Sequence, residues 1–340
     1  MDDSNYGQNT SVQYCFPDNT SSCIKEVRSG PAYKFLFVFL SCVSVCTVFL
    51  NLLVIISISH FKQLHTPTNL LILSLAVADL LVGLIVMPVN MIQLMDSCWY
   101  FGKTACSVYP LISFVPMASS LCSLILIAVE RYIAVCDPLV YSTRITVCKT
   151  TLVIILGWSL CLFYVTIYLY INNHLFPSQI SSSCYGECVV VLKHFWVVVD
   201  LVVSFITPCC IILILYSVIF KVARRQAKAV KAMRNGASHK HRAKASSSSE
   251  TKAAKKLGTV IFVYMALWIP YYISSLSVES LTSSSTVWTV FGWLQLTNSS
   301  VNPLIYAIFY SWFRASAKFI VTCRIFESSS SRFNLIPEHF

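Results

Sequence analysis

The chain has 340 residues, 56% of them apolar and only 11% charged, with a mean hydropathy of +0.69. Water-soluble domains carry roughly 25% charged residues, so a soluble globular protein is excluded, and nine Gly and twelve Pro exclude collagen-like and low-complexity chains. The formal charge of +11 gathers largely in one stretch, which argues for a topology signal rather than a nucleic-acid footprint.

A hydrocarbon core about 30 Å thick needs about 20 helical residues to cross it. Residues 1–34 form a polar tail with no apolar run before a small-residue cleavage site. A cleavable signal is therefore not expected, and the first span serves as its own insertion signal. Asn9-Thr10-Ser11 and Asn19-Thr20-Ser21 in this tail are glycosylation acceptors. Seven spans are predicted, at 35–59, 69–94, 104–135, 150–171, 195–220, 255–277 and 287–309. They are too long and too continuously apolar for barrel strands, which run about 10 residues and alternate. No period of 20–50 residues repeats, which excludes a solenoid. Asn298-Ser299-Ser300 matches the glycosylation pattern but lies inside the last span, out of reach of the sugar transferase.

Orientation follows from the basic residues. Only Lys25, Arg28, Lys34, Lys103 and Lys193 lie on the side of the N-terminus, and the other 20 of the 25 Lys and Arg lie opposite or at that membrane edge. Segment 221–256 alone holds 12 of them against a single acid, Glu250. The positive-inside rule puts that loop in the cytosol and the N-terminus outside. The expected fold class is an all-α integral membrane protein: a seven-helix bundle over 35–309, then a short amphipathic eighth helix on the inner side within the tail 310–340. Cys323, after the basic stretch Arg314–Lys318, is a palmitoylation candidate, with a free thiol as the plain alternative.

Cys15, Cys23, Cys98, Cys106, Cys184 and Cys188 fall on the outer side, an even number in an oxidising compartment. Cys106 opens the third span and Cys188 precedes the fifth, so a bridge between them would pin the second outer loop over the bundle. Whether Cys15 and Cys98 pair is left open. Cys42, Cys46, Cys122, Cys161, Cys209 and Cys210 lie within spans and read as small apolar packers.

Polar residues inside a membrane are costly and mark function by default. Each span supplies a group at a recognisable place: Asn51, Asp79 within Leu75–Asp79, Glu130-Arg131-Tyr132, Trp158, Pro208 with Tyr216, Trp268-Ile269-Pro270, and Asn302-Pro303 with Tyr306. Together, in order, over nearly the whole chain, they resemble the rhodopsin-like G-protein-coupled receptors. The run from Asn298 through Asn302-Pro303, Tyr306 and Tyr310 to Trp312-Phe313 resembles the fingerprint of the trace amine-associated receptors. Ala134–Leu139, Ile219–Arg224, Cys23-Ile24-Lys25 and Cys184-x-x-x-Cys188 fit as well. The resemblance implies Cys23–Cys184 and Cys106–Cys188 bridges. It also implies olfactory sensing of amines in sensory cilia, with a stimulatory G protein raising cyclic AMP.

One departure matters for the ligand. Aminergic receptors hold the ammonium with an Asp eighteen residues before the Arg of the Glu-Arg-Tyr triplet; here that position is Ser113. Leu296, seven residues before Pro303, stands where the family usually has Tyr. A carboxylate appears instead at Asp200, eight residues before Pro208 and about 12 Å outward of it along a helix. A fish subset of the family resembles this arrangement. A buried carboxylate lacking a cation costs several kcal/mol or neutralises, and an ammonium supplies the partner. The expected site therefore comprises Asp200, Ser113, Tyr109, Phe114, Met117, Ser204, Trp268, Tyr271, Tyr272 and Trp293, the aromatic faces adding cation–π attraction. The plain alternatives are helix packing for the rings and a hydrogen-bonded core group for Asp200, in a receptor for a non-amine ligand. Glu187 and Glu279, on the outer side, are placed to take a second ammonium.

Asp79, Ser120, Asn298 and Ser299 form an oxygen-rich set that resembles the family's sodium pocket, with a water network as the alternative; no other cofactor or metal is expected. Ser113 lies eighteen residues from Arg131, about 27 Å along a helix, so ligand and effector sit at opposite faces and communicate by a population shift. Glu130, Arg131, Tyr132, Tyr216, Trp268, Pro270, Asn302, Pro303 and Tyr306 are the expected switch and G-protein residues, with Glu130 holding Arg131 at rest. Tyr264 stands where the family usually has Phe. No enzyme is expected: the seven His form no metal spacing beyond His239-x-His241, and no phosphate loop or nucleophile elbow occurs. A transporter is the formal rival, but inverted repeats and broken half-helices are missing.

Overall fold

The computed structural model describes residues 12–28, 30–180, 183–236, 262–276, 286–327, 330–333 and 335. Its helices are α1 (Pro31–His60), α2 (Pro67–Met95), α3 (Gly102–Cys136), α4 (Pro138–Arg144) and α5 (Val147–Ile171). After a long connection come α6 (His194–Gly236), α7 (Phe262–Leu276), α8 (Thr286–Leu296), α9 (Asn298–Phe309) and α10 (Ser311–Val321).

Local chemistry sets many of the ends. Pro occupies the first turn of α1, α2 and α4, where a missing N–H costs nothing. The Thr66 side chain accepts from Asn69 N, that of Asp137 from Val140 N and that of Thr146 from Lys149 N, each capping its helix. Two π-helical stretches, Val82–Val86 in α2 and Leu201–Ile206 in α6, widen those helices. The second begins immediately after Asp200.

The α3 helix is the central strut, packed against α2, α5 and α6, while α1 packs on α2 and α9. Close approach of α1 and α2 depends on Gly83, where an added Cβ would meet Thr47 Cγ2 at 2.9 Å. Polar residues such as Asn51, Asp79, Ser123 and Asn302 are buried, whereas Phe35, Leu156, Phe163 and Ile214 are exposed on the outer helix faces. That distribution is stable only if the surroundings are apolar. Among the described residues, five helices are long and apolar enough to cross a membrane. A further crossing ends at Phe309, where the chain bends by 103° into α10. The α7 helix supplies a shorter apolar segment; positions 255–261 and 277 of the predicted sixth span lie outside the described residues. On α10, Trp312, Phe313, Ser316 and Phe319 are buried and Arg314 and Lys318 exposed, an amphipathic pattern of three and four.

Two expectations need correction. The α6 helix does not stop near residue 220 but runs to Gly236, so the first part of the basic segment 221–256 is helical. Its Lys and Arg are good helix formers and remove no backbone donor. Among the intramembrane cysteines only Cys209 is a buried packer: Cys42, Cys46 and Cys210 are exposed, and Cys122 and Cys161 are partly buried.

At the end that carries the N-terminus, three disulfides staple the tail and loops: Cys15–Cys98, Cys23–Cys184 and Cys106–Cys188. Gly186 adopts φ +98° between them, with the Phe16 ring and Cys15 so close that a side chain has no room. A Lys25–Asp96 ion pair at 3.2 Å ties the tail to the loop after α2. Burial opposes ionisation of Asp96, but donors from the Cys98 backbone, Tyr100 and Lys25 outweigh it and hold the carboxyl below its ordinary range.

Candidate ligand and switch sites

Asp200 lies at the last α-helical residue before the π-helical stretch of α6 and is half-buried. Its Oδ1 accepts from the Tyr164 hydroxyl of α5 at 2.9 Å and the Ser204 hydroxyl at 2.7 Å. Its Oδ2 accepts from the Tyr272 hydroxyl of α7 at 3.2 Å. Among the described residues no Lys, Arg or His pairs with this carboxylate. Beside it runs an aromatic column: Tyr272 lies 4.9 Å from Phe205 and 6.1 Å from Trp268, and Trp268 lies 5.1 Å from Tyr264. Tyr271 meets Tyr272 edge-on at 5.4 Å. The Tyr264 hydroxyl and Trp268 Nε1 are buried with no hydrogen-bond partner among the described residues.

Of the ten predicted ligand residues, Asp200, Ser204, Trp268, Tyr271 and Tyr272 come together here. Two do not join them. Tyr109 accepts from Asn90 Nδ2 at 2.8 Å and donates to Val86 O, which holds it on α2. Trp293 is buried with Leu40, Val82, Val86 and Met87. Tyr109 also packs against Trp99 and Cys106, and Met117 of α3 packs against both the Trp268 and the Trp293 clusters. Ser113 is buried and donates to Tyr109 O, and Phe114 beside it is half-buried. Leu296 is buried with the Trp293 group. Tyr164 was not expected from sequence; Thr166, Tyr168 and Tyr170 put three more hydroxyls in the outer half of its span, so nothing there singles it out.

Asp79 is wholly buried. Its Oδ2 accepts from Asn302 Nδ2 at 2.8 Å, its Oδ1 from Ser120 Oγ at 3.3 Å, and the Ser299 hydroxyl also bonds to it. Asn298, expected in this set, is buried one turn away, and Asn302 takes the place beside the carboxylate. Asn51 Nδ2 donates to Ser299 O, and Asn51 Oδ1 is buried with no donor among the described residues. Carboxylate, two hydroxyls and an orphaned amide oxygen are the hard ligands a small cation takes.

At the far end of α3, Arg131 is paired with Glu130. Its Nε donates to Glu130 Oε2 and its Nη2 to Glu130 Oε1, both at 2.5 Å, and Nη2 also donates to the Thr68 hydroxyl. Thr68 and Tyr141 hydroxyls donate to Glu130 Oε1 at 2.8 and 2.7 Å. Burial, and then the Glu130 charge, raise the Tyr141 phenol above its ordinary value. Neither Thr68 nor Tyr141 was expected. Tyr216 and Tyr306 are buried in the core, the Tyr216 hydroxyl without a partner among the described residues, and Tyr132 packs on the same cluster. Pro270 lies within α7 and Pro303 within α9.

Glu187 Oε2 accepts from Ser183 N at 2.7 Å and, with Trp99 and Lys103, borders a shallow outer crevice. Asn19 Oδ1 accepts from Ser21 N. Cys323 is exposed at φ +58°. Asn9 and Glu279 lie outside the described residues.

Residues 50–306 match the family model of the seven-transmembrane receptors of the rhodopsin family. The chain is 41% identical over 329 residues to trace amine-associated receptor 13c of Danio rerio, covering 95% of this chain and 96% of the relative. It is 40% identical to trace amine-associated receptor 6 of both Pan troglodytes and Homo sapiens, covering 96% of this chain and 97% of each relative. These are receptors and not enzymes, and the disulfides and apolar helices accord with a multi-pass membrane protein. The chain belongs to the rhodopsin family of seven-transmembrane receptors and, within it, to the trace amine-associated receptors.

Proposed function

We propose that this receptor detects protonated amines through Asp200, as in the fish-type subset that anchors the ammonium on the fifth span. The observation that carries this reading is a half-buried carboxylate held only by neutral hydroxyls, with no cation beside it among the described residues. In low dielectric an ammonium is attracted strongly to such a group, and the Tyr271, Tyr272 and Trp268 rings offer faces to it. The similarity to trace amine-associated receptors supports the same ligand class. The N-terminus lies outside, α10 lies along the inner membrane surface, and the Arg131 end meets a stimulatory or olfactory G protein that raises cyclic AMP. The setting is the plasma membrane of olfactory sensory cilia, with Asn9 and Asn19 glycosylated and Cys323 palmitoylated. Asp79 with Ser120, Ser299 and Asn51 holds an allosteric sodium ion, whose charge would stabilise the resting arrangement.

The test is a cyclic AMP screen of monoamines, diamines and polyamines against matched neutral alcohols in expressing cells. Amines are expected to activate and alcohols to be silent. Equal responses would favour the second reading, a non-amine receptor in which the three hydroxyl bonds make Asp200 a tie between α5, α6 and α7.

A further inference from the structure

The two oxygens of Asp200 are held differently. A carboxylate offers about four acceptor positions. Oδ1 takes two short bonds, from Tyr164 on α5 at 2.9 Å and from Ser204 one turn along α6 at 2.7 Å. Oδ2 takes one, from Tyr272 on α7, and at 3.2 Å it is the longest of the three. The Tyr164 and Ser204 oxygens lie 3.3 Å apart with the single proton of each hydroxyl on Oδ1, so that oxygen is braced by two donors from two helices. Tyr272 has no such brace. Its ring is clasped by Phe205, Trp268 and Tyr271, so the hydroxyl can turn away from Oδ2 while the ring stays in place.

We infer that an incoming ammonium replaces the Tyr272 hydroxyl on Oδ2, while Tyr164 and Ser204 are positioning residues that keep Oδ1 in place. The inference rests on Asp200 being the amine counter-ion. A neutral O–H donor is exchanged for a charged N–H donor, and charge-assisted hydrogen bonds are roughly twice as strong as neutral ones. The exchange breaks the α6–α7 tie and leaves the α5–α6 tie whole. The first structural consequence of binding is thus placed on the helix that carries Trp268, which lies beside Tyr272 in the aromatic column. A ligand can bias two packings only through contacts that differ between them, and the Oδ2 bond is such a contact.

The role of each hydroxyl shows in the sign of its removal. If all three were plain structural ties, losing any of them would weaken binding. Under exchange, Tyr272→Phe removes a competitor and tightens binding, whereas Tyr164→Phe and Ser204→Ala loosen it. The measurement is a titration of the purified full-length receptor with methylammonium chloride, followed by the infrared carboxylate stretch that Asp200→Asn abolishes. Half-saturation is expected to fall roughly fivefold in Tyr272→Phe and to rise roughly fivefold in Tyr164→Phe and in Ser204→Ala, the equivalent of about 1 kcal/mol each at 1.4 kcal/mol per decade. In the unmutated receptor the phenolic C–O stretch of Tyr272, identified by its loss in Tyr272→Phe, is expected to shift on the same titration. Weaker or unchanged binding in Tyr272→Phe, or no phenolic shift, overturns the exchange while leaving Asp200 as counter-ion. No methylammonium response of the carboxylate band in the unmutated receptor overturns the counter-ion reading itself, and the exchange with it.

Discussion

Glu130 and Asp200 are both intramembrane carboxylates held by tyrosine and by Ser or Thr hydroxyls, yet they are in opposite electrostatic conditions. Glu130 is buried and has its cation within the protein, since both oxygens take bonds from Arg131. Asp200 is half-buried and has hydroxyls alone. A buried ion pair that is complete has little attraction left for a third partner, whereas a carboxylate lacking its cation carries an unpaid desolvation cost that any reachable ammonium relieves. Under the proposed function the contrast gives the two ends different roles: the end closed by an internal pair is the one to be opened, and the end without a cation is the one to be filled.

The sharpest way to break this comparison is to remove the charge at the open end. Asp200→Asn keeps size and shape, and losing one partner of a buried charge pair costs about 2–5 kcal/mol, or roughly 30- to 3,000-fold in amine potency. Dose–response curves with surface staining measure it; full potency in a well-expressed variant would mean Asp200 is not the counter-ion. Asp200→Glu is expected to retain partial response with a changed preference for ligand length. At the closed end, removing one buried partner of the Arg131 pair should act on the resting state instead. Glu130→Gln is expected to raise ligand-independent signalling by about tenfold or more while shifting amine potency much less, and Thr68→Val or Tyr141→Phe by a few-fold, since each deletes one hydrogen bond to Glu130. Basal signalling unchanged in all three variants would show that the pair does not hold the resting state.

The lid over the open end sharpens the comparison further. Cys106→Ser or Cys188→Ser opens a loop that spans 82 residues and should cost about 2–5 kcal/mol, read as lost surface expression or lost response. Cys15→Ser should cost less function, because its bond anchors the tail to the loop after α2 and does not reach the α3 N-terminus. The smallest effect concerns pH. Burial holds His174 below its ordinary value of 6.5, with Val191 N–H donating to its Nε2. A depressed folded value means that its contribution to loop stability is present above pH 6.5 and is lost as pH falls below it. Amide exchange in residues 183–193 should therefore be faster at pH 5 than at pH 7, and His174→Gln should flatten that difference.

How much of this was legible in the sequence depends on whether the determinant is local. The order of the spans follows from long apolar runs, whereas the caps that Thr66, Asp137 and Thr146 supply to α2, α4 and α5 were seen only in the structure. The importance of Asp79, Arg131 and Asp200 also follows locally, because a charge in an apolar run is costly wherever its neighbours lie. The expected Cys23–Cys184 and Cys106–Cys188 bridges are present, whereas the Cys15–Cys98 bridge, left open by the sequence, is shown only by the structure.

Which groups meet those charges was decided only by the tertiary structure. Tyr164 reaches Asp200 from 36 residues away, Thr68 reaches Glu130 from 62, and Asn302 rather than Asn298 reaches Asp79 across 223. Tyr109 and Trp293 are aromatic like Tyr272, yet they pack against other residues, Tyr109 with Asn90 and Trp293 with Leu40 and Met87. A helix fixes which of its own residues share a face, at about 100° per residue. It does not fix the rotation, depth or π-helical offset at which the next helix presents its face. The sequence therefore determined where charge enters the membrane, and helix-on-helix packing determined which hydroxyl, amide or guanidinium answers it.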